Sequence, residues 1–103
     1  MYEYKGTCTN DEKWEETFTL GTDSDVSDWV FECVLSDKSG VRANATCTLD
    51  SVAKEVTFLV PLSTMQGLCA GNYNVGARYR IASADPDQIL IGSLAVKEGN
   101  FTP

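Results

Sequence analysis

Apolar and polar residues alternate along this chain with a period of two far more often than they recur every three or four positions, so it reads as a series of strands. The clearest case is residues 71–83, where Tyr73, Val75, Ala77, Tyr79 and Ile81 share one face and Asn72, Asn74, Gly76, Arg78 and Arg80 the other. Residues 41–49 repeat the pattern through Val41, Ala43, Ala45, Cys47 and Leu49, and residues 55–60 through Val56, Phe58 and Val60. In residues 29–35, Trp29, Phe31, Cys33 and Leu35 lie on one side while Val30 and Val34 flank Glu32 on the other, which marks a central strand. Residues 16–20 and 88–96 supply two shorter strands, and residues 2–8 one more.

Turn residues separate these runs: the loop 21–28, Ser36-Asp37-Lys38-Ser39-Gly40, Asp50-Ser51 and Ala84-Asp85-Pro86-Asp87. The one helical candidate is residues 62–68, launched by Pro61 and capped by Ser63. The expected fold is all-β, an antiparallel β-sandwich of about seven strands. Residues 1–13 are read as an N-terminal arm or edge strand, and residues 14–103 as the sandwich domain.

Composition narrows the chemistry. At 103 residues the chain fits one domain with one core. Eight Lys and Arg against fifteen Asp and Glu give a formal charge of −7, which disfavours nucleic acid and anionic membranes as partners. Histidine is absent, which removes His-dependent general base and triad chemistry and most catalytic zinc sites. No window is apolar enough for a membrane span. The first residues, MYEYKGTCTNDEKW, lack the basic start and apolar run of a secretory leader, so a protein made in the cytoplasm with reduced thiols is expected.

The remaining motifs have ordinary readings. Counted from Asp23, the acidic loop has Asp28 where a calcium loop needs Gly and Val34 where it needs Glu, so it reads as a solvated turn. Asp11, Glu12, Glu15 and Glu16 would point to opposite faces of an extended chain. Cys8, Cys33, Cys47 and Cys69 contain no CxxC pair and have no basic cluster beside them, which leaves neither metal nor thiolate catalysis. Cys33 and Cys47 are expected in the core. Asn44-Ala45-Thr46 and Asn100-Phe101-Thr102 are chance glycosylation matches if the chain is not exported. No catalytic residue, metal site or cofactor is expected.

The segment Leu68-Cys69-Ala70-Gly71-Asn72-Tyr73 is more informative. A short turn, then Ala-Gly, then a Tyr at the start of an alternating strand is how sandwich domains build a tyrosine corner, in which the phenol bonds back to upstream backbone. Antibody-type domains place a cysteine two residues after that Tyr, whereas this chain has Val75, so an aliphatic contact replaces the inter-sheet disulfide while Trp29 and Cys33 fill the facing core.

Three stretches, ETFTL, SDWVFECVLSDKSG and VTFLVPLSTMQGLCAGNYNVGARYRI running on through DPD to ILIGSLAVKEGNFT, resemble small tailed-bacteriophage virion proteins and domains with an immunoglobulin-like (Ig-like) sandwich, the head-decoration and baseplate-adaptor types. The resemblance covers roughly residues 14–102. It implies an Ig-like β-sandwich without enzymatic activity, located in the virion and working by attachment to major capsid proteins (as a decoration or cement protein) or to tail and baseplate proteins. The limited buried area and two open sheet edges of so small a sandwich point separately to a homo-oligomer, most simply a trimer or a ring. Tyr2, Tyr4, Trp14, Arg78, Arg80 and Phe101 are the expected interface residues, with the arm 1–13 and the tail 100–103 as docking segments. The alternatives are a carbohydrate- or protein-binding sandwich, which would group exposed aromatics such as Trp14, Tyr2 and Tyr4 on one face, and an acidic cytoplasmic binder of the inhibitor type.

Overall fold

The computed structural model describes residues 2–23, 25–82 and 84–99, with Tyr2 by its backbone alone. Among these residues the chain forms seven strands and one short helix: β1 (Tyr2–Thr9), β2 (Trp14–Thr19), β3 (Trp29–Asp37), β4 (Gly40–Asp50), β5 (Glu55–Val60), α1 (Leu62–Met65), β6 (Gly71–Ile81) and β7 (Asp87–Lys97). The protein is all-β, as its alternation predicts. Hydrogen-bonded neighbours run β1-β7-β6-β3-β4-β5-β2.

β4 belongs to both ends of this strip. Residues 40–45 pair with β3, and residues 46–50 pair with β5. A larger section (β1, β7, β6, β3 and the first half of β4) therefore passes into a smaller one (the second half of β4, β5 and β2), and the strip curls around one core. Leu35, Val75 and Leu94 enter that core from the larger section, and Val56, Phe58 and Val60 from the smaller. Every second residue of β5 is fully buried, the pattern that a two-residue period produces on a half-covered strand.

One pairing departs from the antiparallel expectation. β1 runs parallel to β7, in register from Tyr2↔Leu90 to Thr9↔Lys97, while every other pair is antiparallel. These two strands lie at opposite ends of the chain, so no hairpin fixes their relative direction. The same pairing decides the status of the N-terminal segment. Residues 2–9 form an edge strand bound along their whole length to β7, and do not project as an arm. Gly92 allows this close approach, because a Cβ there would run into the backbone of Tyr4.

Two local expectations are also corrected. The helix is a single turn, Leu62–Met65, and Ser63 does not cap it: Pro61, extended at φ −68° and ψ 159°, occupies the cap position and no side chain bonds there. β2 begins at Trp14 and not at residue 16, because Glu16 occupies an inward slot between Trp14 and Phe18 and so disguises the alternation.

Asn10 ties the ends of the chain together. Although it is buried, its Nδ2 donates to the Leu68 carbonyl at 3.1 Å, and its Oδ1 accepts from the Gly99 N–H at 3.0 Å. Its own N–H donates to the Lys97 carbonyl at 3.0 Å. One amide thus joins the end of β1, the turn before β6 and the chain beyond β7.

Candidate interaction surface

The outer face of the larger section carries the residues that the inward periodicity leaves over. Strand pairing places Glu3, Ile91, Gly76, Val34 and Asn44 in one cross-strand row, with Lys5, Ser93, Asn74 and Ser36 in the next. At the centre of the first row Gly76 lies between two branched aliphatic side chains. A Cβ at this glycine would meet nothing within 4 Å, so its absence leaves a notch between Ile91 and Val34. The notch opens into a groove of ≈ 740 Å³, which continues past Val41 and Gln88 toward Arg78.

The apolar content of this face is high for a surface sheet. Val30, Val41 and Ile91 are 43%, 57% and 41% exposed. Isolated exposed aliphatics are ordinary on any protein, but Val41 and Ile91 line one groove, and such grouping marks contact surfaces. Arg78 is exposed at its end, and Arg80 is exposed two residues further along β6. Arg78 Nη2 reaches Glu32 Oε2 at 3.3 Å, while Arg80 has no ion pair among the described residues. Of the two arginines expected at an interface, Arg78 therefore lines the groove, and Arg80 lies on the same face beyond it.

The aromatic residues expected there form no exposed platform, although Tyr4 is among the residues that line the groove. Trp14 is 3% exposed and belongs to the core. Its Nε1 donates to the Tyr4 hydroxyl at 3.0 Å, and that hydroxyl donates to Glu16 Oε1 at 3.1 Å. Tyr4 is half-buried, and its ring meets Trp14 and Phe18 edge-on at 5.9 and 6.1 Å. Trp14, Tyr4 and Glu16 thus bridge the edges of β1 and β2 through side chains, which removes Tyr4 and Trp14 from any exposed aromatic platform. Burial, and then the Glu16 carboxylate, push the Tyr4 phenol above its ordinary range. The side chain of Tyr2, and Phe101 with the tail 100–103, lie outside the described residues.

At the corner before β6, the Tyr73 hydroxyl donates to the Cys69 carbonyl at 2.6 Å, and its ring is 6% exposed. Val75 and Cys33 are both buried in the common core. Trp29 is only partly buried and stacks on Tyr79 with centroids 4.6 Å apart, so it covers the end of the core and does not fill its middle.

The four cysteines are unpaired, and Cys47, expected in the core, is half-buried. Burial lifts the Cys33 thiol to about 12, with a further contribution from Cys47. Burial lifts Cys8 to about 11, assisted by Glu12 and Glu16. Both thiols stay protonated near neutrality, the opposite of what an activated nucleophile requires.

Sequence reasoning misses Gly76, Gly92 and Asn10. Gly76 shows only as the one small residue among the polar positions of β6, and nothing local marks Asn10 as buried. No family model matches the chain, and a search among curated proteins finds none that matches it.

Proposed function

We propose that this protein is a non-enzymatic structural component of a tailed-phage virion, an Ig-like sandwich that takes its place among neighbouring virion subunits through the groove over Gly76. The observation that carries the reading is that notch between Ile91 and Val34 on the outer sheet face, in a groove that Arg78 lines and beyond which Arg80 is exposed. An aliphatic recess with one guanidinium in its lining and a second beyond it suits a protein surface that offers one apolar side chain beside carboxylates.

Three features support the Ig-like part of the reading. The first strand lies parallel to the last, β4 passes from one sheet section to the other, and a tyrosine hydroxyl closes the corner before β6. The protonated thiols weigh against a cysteine enzyme. The acidic total charge supports solubility before assembly.

The test is attachment. Gly76→Trp fills the notch without touching the core, because its side chain would point into open groove. Wild-type protein should cosediment with particles assembled in its absence, and Gly76→Trp should bind them at least about tenfold more weakly while melting at the wild-type temperature. Equal binding by both proteins would remove the groove from the proposal.

A further inference from the structure

The outer faces of the two sheet sections are opposite in character. On the larger, Lys5, Arg78, Arg80 and Lys97 outnumber Glu3 and Glu32, although the whole chain is strongly acidic. The outer positions of the smaller section form three rows, Glu15–Leu59–Thr46, Thr17–Thr57–Thr48 and Thr19–Glu55–Asp50. These rows contribute three carboxylates and no cation. Lys13, just outside β2, approaches Glu15 at 3.6 Å and leaves Glu55 and Asp50 unmatched by any ion pair among the described residues. The threonines make a flat hydroxyl surface, with Thr17 and Thr57 hydrogen-bonded to one another at 2.9 Å. Leu59 is the single aliphatic residue in these rows, and it stands beside Glu15.

We infer that the neighbour seated in the Gly76 groove is a second copy of this chain, presenting the outer face of its smaller section, with Leu59 entering the notch and Glu15 and Glu55 facing Arg78 and Arg80. This rests on the assembly reading above and names the partner of the same groove: contacts between copies add to the hold of each copy on a particle, and filling the notch weakens attachment by removing them. The match is one of charge and shape together: a cationic, notched face and an anionic face with one partly exposed aliphatic residue occur on opposite sides of one molecule. Because the two faces differ, the contact is head-to-tail. Each subunit keeps one free face of each kind, so assembly proceeds to a closed ring or an open filament and does not stop at a symmetric dimer.

Sedimentation of the purified chain at rising concentration and at low and high salt is the direct test. Two variants separate this contact from others, Arg78→Glu/Arg80→Glu on one face and Glu15→Lys/Glu55→Lys on the other. All four positions lie on outer faces, and circular dichroism would check that both variants fold. Wild-type protein should associate beyond its 11.2 kDa monomer, and more weakly as salt rises. Either variant alone should stay monomeric to at least about tenfold higher concentration, and an equimolar mixture should associate again because each supplies the face that the other needs. Wild-type protein that remains monomeric at every concentration and salt overturns the inference. So does a Glu15→Lys/Glu55→Lys variant that associates as wild type does, which would indicate a symmetric contact through the larger face. Neither result bears on whether the protein occurs in particles, which is measured separately.

Discussion

Replacing Tyr73 by Phe removes one oxygen and leaves the ring in place. In the native chain the hydroxyl donates to the Cys69 carbonyl at 2.6 Å from a ring that is 6% exposed. A neutral hydrogen bond of this kind contributes about 1 kcal/mol net, and more when the abandoned partner stays dry. Here the partner belongs to Cys69, an exposed residue, so water can replace the lost donor and the cost should stay close to 1 kcal/mol. For a domain of this size that corresponds to a fall in melting temperature of about 4 °C. Urea titration of Tyr73→Phe beside wild type measures it, with an unchanged m-value as the sign that only stability has moved. A loss below about 0.3 kcal/mol would show that the hydroxyl is as well satisfied by water and that the corner is not held by this bond; a loss above about 3 kcal/mol would show that the cost comes from repacking of the ring.

Asn10→Ala strands the Leu68 carbonyl and the Gly99 N–H in a buried setting, and should cost about 2 kcal/mol by the same titration, twice the effect at Tyr73. Gly92→Ala puts a methyl group against the backbone of Tyr4; hydrogen exchange should then speed up across β1 and spare β5, whereas unchanged protection in β1 would mean that its pairing with β7 is wrongly placed. Cys33 and Cys8 carry folded-state values of about 12 and about 11 against an ordinary 9.0, so above pH 9 the unfolded chain releases protons that the folded chain keeps. Stability from these thiols is complete below pH 9 and is lost as pH rises through 11 to 12; the urea midpoint should therefore fall from pH 8 to pH 10.5, and less steeply in Cys33→Ala.

The strands were legible because alternation is a local signal, which β5 follows throughout and β6 follows from Tyr73 to Tyr79, before Ile81, expected on the inner face, emerges 46% exposed at the strand's end. The Tyr73 corner was legible for a similar reason, since donor and acceptor are only four residues apart. Partners distant in sequence were not. Glu16 hid the true start of β2 because a carboxylate in an inward slot makes sense only once Tyr4, twelve residues earlier, is seen to donate to it. Trp14 looked like a surface aromatic because charged neighbours surround it in the sequence, yet the strand turns its side chain into the core. The direction of β1 depends on β7, at the other end of the chain, and no local pattern records it. The groove over Gly76 arises from three strands in register, so a glycine that looks neutral in β6 becomes a notch only beside Val34 and Ile91.

The central claim is that the protein is built into a virion. Quantitative mass spectrometry of phage particles released from cells that carry its gene, purified through two successive density gradients, measures this most directly. The account predicts the chain at a fixed copy number relative to the major capsid protein, unchanged between the two gradients. A protein abundant in the infected-cell lysate and absent from the particles would contradict it.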